Sequence, residues 1–207
     1  MQNQLIIRIE TAADYAAAEN LTREAFWNVY RPGCTEHYVL HCFRGREDFI
    51  PELSLLLERN GTIIGHVMYA RSWICADDGR RIPVMTFGPL SIAPAYKRQG
   101  YGTILLRESM RRAALLGAGA LAIEGDPAFY GKSGFVTAST KGIHYAAEPR
   151  EAEVPYFLLR ELAPGFLNGV TGIYRDPAGY FVAEEEAALF DARFPPKEKQ
   201  KLPGQLF

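Results

Sequence analysis

The pattern of apolar and polar positions in the first part of the chain predicts a strand, two helices and a hairpin. Residues Gln4–Glu10, with the sequence QLIIRIE, are predicted to form a first strand. Thr11 can cap a helix over Ala12–Tyr30, and the Pro and Gly at positions 32 and 33 would end it. The next predicted elements are a short helix and the two strands of a hairpin around Asn60-Gly61: Thr35–Phe43, Leu53–Glu58 and Thr62–Trp73.

The second part of the chain alternates strands with helices. Residues Ile82–Ile92 are apolar on both faces, which is typical of a buried central strand. The helix that follows extends to about Leu116, and its predicted apolar stripe consists of Leu106, Met110, Ala113 and Ala114. The next predicted elements are a strand over Leu121–Glu124 and a short helix, capped by Asp126, that extends to Ser133. Two more strands are predicted, one that begins at Gly134-Phe135 and one over Pro155–Leu162. This mixed order is typical of an α/β or α+β domain.

Length and charge narrow the classes of protein. The 207 residues fit one domain with an extension, and the Pro- and Lys-rich stretch Phe194–Phe207 is predicted to be an irregular tail. A net charge of −1 argues against a nucleic-acid binder, and no run reaches the ~20 apolar residues of a membrane helix. The three cysteines form no CxxC pair, which favours a reducing, cytoplasmic setting.

The segment Leu90–Leu106 contains a buried strand, a loop with Gly100 and Gly102, and a helix in direct succession. A helix N-terminus has backbone N–H groups without partners and a dipole that favours anions. Lys97 and Arg98 add positive charge beside the loop. The segment is therefore either a pyrophosphate site or a plain strand-to-helix turn. Neither GxxxxGK[ST] nor GxGxxG is present, so no P-loop or Rossmann loop is predicted.

With Pro94 ahead of the loop, this segment resembles the acetyl-CoA-binding motif of the GNAT superfamily of N-acetyltransferases, [Q/R]-x-x-G-x-[G/A], with Lys97 at the Gln/Arg position. The resemblance implies a central mixed sheet flanked by helices, with splayed central strands. It also implies that the loop amides hold the pyrophosphate and that the strand end binds the pantetheine arm and acetyl carbonyl. The expected cofactor-binding residues are Leu90, Ser91, Ile92, Lys97, Arg98, Gln99, Gly100, Tyr101, Gly102 and Thr103.

Residues Asp126–Phe135 are similar to a later motif of that family, in which a Tyr four residues before a Gly-Phe pair faces the thiol of CoA. Tyr130 has this spacing, so the resemblance makes it the proton donor to the leaving thiolate. An isolated Tyr would instead be read as a half-buried aromatic. Many family members carry an Asn just before this motif, whereas the stretch Ile123–Asp126 has none, so a cofactor contact there would come from the backbone.

Glu124 is the first candidate for the general base, because it ends a central strand near the expected acetyl position. A structural carboxylate bonded to backbone N–H groups and a water relay to a backbone carbonyl are the alternatives. His37 and His41 have helical i, i+4 spacing near Cys34 and Cys42, but they lack the neighbouring Glu of HExxH. We therefore expect no metal.

These features predict an acetyl-CoA-dependent N-acetyltransferase that moves an acetyl group to a primary amine by direct transfer in a ternary complex. No cysteine occupies a motif position, so no acyl-enzyme is expected. A small-molecule acceptor is favoured over a peptide, and a non-catalytic acyl-CoA-binding or regulatory module on the same fold is the alternative function. The transferase domain is expected over residues 1–162. Residues 163–207 would be an extension packed on it, used for acceptor choice or for association, including a homodimer.

Overall fold

The computed structural model describes residues 4–206, so Met1–Asn3 and Phe207, the last residue of the predicted tail, lie outside it. The helices are α1 (Tyr15–Phe26), α2 (Glu36–Phe43), α3 (Tyr101–Leu115), α4 (Pro127–Tyr130) and α5 (Glu184–Asp191). The strands are β1 (Leu5–Ile9), β2 (Leu55–Arg59), β3 (Thr62–Ala76), β4 (Arg81–Ile92), β5 (Ala120–Glu124), β6 (Val136–Thr137), β7 (Ile143–Tyr145), β8 (Phe157–Glu161) and β9 (Gly172–Arg175). None of the helices within this range is long and apolar enough to cross a membrane.

The chain folds into two compact units, and β3, β4 and α3 each contribute residues to both. The first unit contains the chain up to Met68, Pro89–Leu106 and the residues from Ala178 onward. The second contains Tyr69–Gly88 and Arg107–Pro177. Strands pair in both directions, so the sheet is mixed, as predicted for an α/β fold.

In the first unit, β1, β2 and the start of β3 form an antiparallel meander. The predicted hairpin is confirmed: Asn60 and Gly61 have φ of 51° and 79°, the left-handed values that a tight two-residue turn requires. All three leucines of β2 are fully buried. Gly65 on β3 has no room for a side chain, because a Cβ there would lie 2.8 Å from Cδ1 of Ile92.

A buried ion network joins β1 to α1 and α2 in the first unit. Arg44 donates to Glu10 at 2.7 Å and also pairs with Glu19. The Ser54 hydroxyl donates to Glu10 at 2.8 Å and lies 3.1 Å from Nε2 of His66. Burial alone would raise the pKa of Glu10, but its bonds to His66 and Arg44 lower it to about 2. His66 is thus a packed core histidine.

The end of α1 differs from the prediction. The helix stops at Phe26 and not at Tyr30, because Asn28 adopts a left-handed φ of 58° and exchanges hydrogen bonds with Gly33. The Asn28 amide also donates to the Glu198 carbonyl at 3.1 Å. The predicted irregular tail after Phe194 is found in the described residues, and its bonds to this loop explain the early helix end.

Helix α5 is attached to α1 by an ion pair. Arg23 is 1% exposed, and its Nε donates to Asp191 at 2.6 Å while a second guanidinium nitrogen lies 3.3 Å from the other carboxylate oxygen. Glu184 at the start of α5 pairs with Arg31 at 2.9 Å, but its side chain is 83% exposed. Asp191 and Glu184, at the two ends of the same helix, therefore sit in opposite environments.

In the second unit, β4 and β5 are parallel, β5 and β8 are antiparallel, and β6 pairs with β8. Strand β9 pairs with the end of β3 and with β7. The parallel pairing of β4 with β5 joins Met85 to Leu121 and Thr86 to Ala122, and within residues 4–206 it extends no further. This short pairing agrees with the predicted divergence of the central strands.

Three details of the second unit were not predicted. Ala114 was placed in the apolar stripe of α3, but it is exposed, because the buried face runs through Leu105, Ser109 and Ala113. The strand expected from Gly134-Phe135 is only the two residues of β6. Strands β7 and β9 are too short for their pattern to stand out.

Candidate active site

The glycine loop turns through left-handed backbone conformations directly before α3. Arg98 has a φ of 58° and Gly100 a φ of 88°, so the chain turns through the left-handed region just before α3. The Gly100 carbonyl accepts the N–H of Ile104 at 3.1 Å, which marks the first turn of the helix. The N–H groups of the first helical residues are left without intrahelical partners, and residues 97–100 are exposed. The loop can therefore receive an anionic group through its main chain.

The Lys97 side chain contacts the end of α1. Its Nζ donates to the Ala25 carbonyl at 2.6 Å, in the last turn of that helix, where the helix dipole favours a cation. Burial lowers the pKa of Lys97. The sequence predicted Lys97 as positive charge for a phosphate, so this contact gives the residue a second role.

The end of β4 faces the core with its side chains. The Ser91 hydroxyl donates to the hydroxyl of Thr22 at 3.0 Å, and Ile92 packs beneath Gly65. Both residues are buried, whereas Leu90 is partly exposed. The main chain is the part of this strand end that is left for a ligand.

In the second unit, Tyr130 packs against the residue that follows β5. Asp126 caps α4 by accepting the Ala128 N–H at 2.8 Å, as predicted, and Tyr130 is the last residue of that helix. A Cβ at Gly125 would lie 2.3 Å from Cε2 of the Tyr130 ring. Phe87, Phe129 and Phe135 surround the ring, with centroids 4.8–5.9 Å apart within this cluster. The ring is thereby held beside the end of β5, where Glu124 lies.

Glu124 is bonded to a phenol that it shares with a second carboxylate. The Tyr145 hydroxyl lies 2.6 Å from Oε1 of Glu124 and 2.5 Å from Oδ2 of Asp176. Glu124 as a residue keeps contact with solvent, while its carboxyl end is partly enclosed. Desolvation raises the pKa of this carboxyl, the Tyr145 hydrogen bond lowers it, and the charge of Asp176 raises it, with a net value of about 7. A carboxyl with this pKa can exchange protons near neutrality.

The sequence made Glu124 a candidate but gave no sign of Tyr145, Asp176 or Gly125, which the structure places around it or its neighbour. Tyr145 is 21 residues from Glu124 along the chain, and Asp176 is 31 residues from Tyr145. They sit on β7 and after β9, the two short strands that the pattern did not reveal. Gly125 follows a predicted strand end, but only the position of Tyr130 shows why it is a glycine.

The cysteine and histidine cluster of the first unit forms a Cys-His-Asp series without an activated thiol. Cys34 Sγ lies 3.4 Å from Nδ1 of His37, and Nε2 of His37 lies 3.2 Å from Oδ1 of Asp191. Burial raises the pKa of Cys34 and lowers that of His37 to about 4, so neither group is charged near pH 7. In the part of the chain that the structure describes, no group of three or more His, Cys, Asp or Glu could hold a metal ion.

Known proteins resemble this chain in sequence and in fold. The model of the acetyltransferase (GNAT) family matches residues 19–135, more than half of the chain. The chain is 27% identical over 170 residues to the uncharacterized N-acetyltransferase YhbS of Escherichia coli (strain K12), covering 82% of this chain and 94% of that protein.

Two crystal structures have similar folds. One is GNAT family N-acetyltransferase YhbS from Escherichia coli in complex with CoA, with a TM-score of 0.74 and 24% identity, covering 87% of this chain and 93% of that chain. The other is a GNAT family acetyltransferase from Brucella melitensis in complex with acetyl-CoA, with a TM-score of 0.68 and 23% identity, covering 87% of this chain and all of that chain. At these identities the likeness shows the fold.

Proposed function

Because this chain belongs to the acetyltransferase (GNAT) family, we propose that it transfers an acetyl group from acetyl-CoA to a primary amine. The observation that carries the proposal is the exposed left-handed loop at the N-terminus of α3, which lies within the matched residues. An exposed set of unpaired N–H groups at a helix start is suited to a pyrophosphate. The crystal structures of similar fold, with CoA and acetyl-CoA, support the same ligand.

The residues that we assign to acetyl-CoA follow the loop and the preceding strand end. The backbone amides of Arg98, Gln99, Gly100, Tyr101, Gly102 and Thr103 would hold the pyrophosphate. The main chain of Leu90, Ser91 and Ile92 would bind the pantetheine arm and the thioester carbonyl, since two of these side chains are turned into the core. Lys97 would act mainly by fixing the loop, because its ammonium is bonded to Ala25.

The chemistry that we propose is direct transfer. Glu124 takes a proton from the acceptor ammonium, and the free amine attacks the thioester carbonyl carbon. The C–S bond breaks as the amide forms. Tyr130 donates a proton to the sulfur and recovers one that the new amide nitrogen releases. The pKa of Glu124, about 7, supports its role as the base.

The acceptor, the cellular setting and the role of the C-terminal extension complete the proposal. We favour a small amine over a peptide, a cytoplasmic setting, and a transferase core over residues 1–162 with residues 163–207 as an extension. The bonds of the tail to Trp27 and Asn28 support a role of the extension in shaping the loop after α1. A non-catalytic acyl-CoA-binding module is the second candidate, since the glycine loop alone would serve it equally well.

The test combines binding with turnover. Calorimetry measures the affinity for CoA, and thiol release from acetyl-CoA is followed with a panel of amines, amino acids and peptides. Tyr130→Phe is expected to lower turnover about 100-fold or more and to leave CoA affinity nearly unchanged. Tyr156→Phe is the matched control, because that phenol bonds to the exposed Glu148 at 3.2 Å.

The outcomes separate the two candidates. Absence of CoA binding contradicts both. CoA binding without thiol release for any acceptor supports the non-catalytic module. Turnover that survives Tyr130→Phe unchanged contradicts the proposed proton donor.

A further inference from the structure

The phenol of Tyr145 stands between two carboxyl groups but has a single proton. Its oxygen lies 2.6 Å from Glu124 and 2.5 Å from Asp176, and both distances are those of strong hydrogen bonds. The hydroxyl can donate to one of them at a time. The other contact requires a proton on the carboxyl group, because a carboxylate has no hydrogen to donate. The geometry therefore favours a cluster that keeps one extra proton.

The cluster has no close cation among the residues that the structure describes. Among residues 4–206, neither Glu124 nor Asp176 takes part in an ion pair with Lys, Arg or His within 4.0 Å, whereas Asp77, Glu108 and Glu161 of the same unit each do. Tyr174 lies two residues before Asp176 and is fully buried. Desolvation and the charge of Asp176 raise the pKa of the Tyr174 phenol, so this neighbouring group adds no positive charge to the cluster.

The strand arrangement fixes the cluster in place. Tyr145 ends β7 and Asp176 follows β9, and these two strands are paired in parallel with Tyr145 opposite Tyr174. The rings of Tyr145, Phe157 and Tyr174 are stacked in one row, with centroids 5.2 and 5.1 Å apart. The Tyr145 hydroxyl is thus held by packing that is independent of its hydrogen bonds.

We propose that Tyr145 and Asp176 are positioning residues that set the protonation state of Glu124 by sharing one phenolic hydrogen bond between the two carboxyl groups. The inference rests on the proposed function in one respect, namely that Glu124 is the base. It extends that function by giving the base a dedicated pair of partners. The two partners act in opposite directions: the charge of Asp176 favours the protonated form of Glu124, and the hydroxyl of Tyr145 favours the ionised form.

Other titratable groups surround the end of β5. They are Tyr156 from the segment before β8, which bonds to Glu148, and Tyr130 from α4. Desolvation, the bond to Glu148 and the charges of Glu148 and Glu124 raise the pKa of Tyr156, so it stays neutral in the range where Glu124 titrates. Tyr145 is also neutral there, since desolvation and both carboxylates raise its pKa. The charge that changes near pH 7 is therefore that of Glu124.

A direct measurement is the titration of Glu124 by carbon NMR, in full-length protein labelled with [δ-13C]glutamate. The resonance is assigned by its loss in Glu124→Gln. In the unmodified protein we expect a midpoint near pH 7. Asp176→Asn should lower this midpoint by about one pH unit, and Tyr145→Phe should raise it by about one pH unit.

Tyr156→Phe is the matched control, because it removes a neighbouring phenol that bonds to Glu148 and not to the carboxyl pair. It should leave the midpoint within a few tenths of a pH unit. Thermal unfolding is recorded for each variant, and Asp176→Glu, which keeps the carboxyl group, should restore a midpoint near that of the unmodified protein. A midpoint near 4.5 in the unmodified protein, or shifts of the same sign in both variants, would overturn the proposal.

A second readout separates this inference from the proposed function. The rate of thiol release is measured against pH with an amine that the acceptor panel identifies. The midpoint of the acidic limb of this profile should shift to lower pH in Asp176→Asn and to higher pH in Tyr145→Phe. If the two variants shift the Glu124 titration midpoint in opposite directions in a protein that acetylates no amine, the result supports the shared bond and contradicts the role of Glu124 as a base. If both variants shift the Glu124 titration midpoint in the same direction, the shared bond is overturned even where the enzyme is active.

Discussion

The ring of Tyr130 occupies the space that any side chain at Gly125 would need. A Cβ on Gly125 would lie 2.3 Å from one ring carbon and 2.8 Å from the next, both well inside van der Waals contact. Gly125 comes directly after Glu124, so the proposed acid and base are neighbours through this glycine. The position of the phenol therefore depends on a residue that has no side chain.

Gly125→Ala is expected to displace the Tyr130 ring and to slow acetyl transfer about 100-fold, since an error of 1 Å in a reacting group can cost that much. Affinity for CoA should change little. The control is Gly131→Ala, where a Cβ would meet nothing within 4 Å. Equal rates in the two variants would show that the ring position is unimportant. The measurement is thiol release from acetyl-CoA with the best acceptor of the panel.

Lys97→Met removes the hydrogen bond to the Ala25 carbonyl at the end of α1. We expect the free energy of unfolding to fall by about 1 kcal/mol, the net value of a partly exposed charged hydrogen bond, and CoA affinity to fall less than about threefold. Urea unfolding and calorimetry measure the two effects. A large loss of CoA affinity in a variant of unchanged stability would instead place the Lys97 charge on the pyrophosphate.

Asp191→Asn removes the nearer counter-charge of the buried Arg23 guanidinium, at 2.6 Å, and leaves the more distant Glu24 at 3.8 Å. The expected loss in the free energy of unfolding is about 3 kcal/mol, which is typical of a broken buried ion pair. Glu184→Gln in the same helix is the control, because its pair with Arg31 is largely exposed and should contribute only a few tenths of a kcal/mol. Equal losses in both variants, measured by chemical unfolding, would mean that burial of Arg23 is unimportant.

Glu124→Gln should change how stability depends on pH. The pKa of Glu124 is raised from 4.5 to about 7 in the folded protein, so between these values the folded state binds more protons than the unfolded state. Its contribution to the free energy of unfolding therefore decreases as the pH rises from about 4.5 to about 7. The variant should lose this part of the dependence and be relatively more stable above pH 7. Unfolding curves at pH 5, 6, 7 and 8 measure it, and parallel profiles would contradict the raised pKa.

Features with short-range causes could be predicted from the sequence. The hairpin at Asn60 and Gly61, the Asp126 cap of α4 and the loop before α3 depend on residues a few positions apart, and the structure has all three. The contact of Tyr130 with Gly125 could not be predicted, although the two residues are close in sequence, because it depends on how α4 packs against the end of β5.

Features with long-range causes could not be predicted. The end of α1 depends on hydrogen bonds with residues near position 200, and the partners of Glu124 are on strands that only pairing reveals. Gly65 looked like an ordinary strand position, since nothing nearby in the chain indicates that Ile92 would pack over it. Periodicity predicts one helix or strand at a time, whereas each of these positions depends on how two elements pack together.

The ion pair between Arg23 and Asp191 has a consequence for folding during synthesis. The two residues are 168 positions apart. At roughly 5–20 residues per second, a ribosome needs about 8 to 34 seconds to make the intervening chain. During that interval Arg23 exists without the Asp191 carboxylate, and burying a guanidinium without a close, hydrogen-bonded partner costs several kcal/mol. Helix α1 therefore reaches its native surroundings only after α5 has been translated.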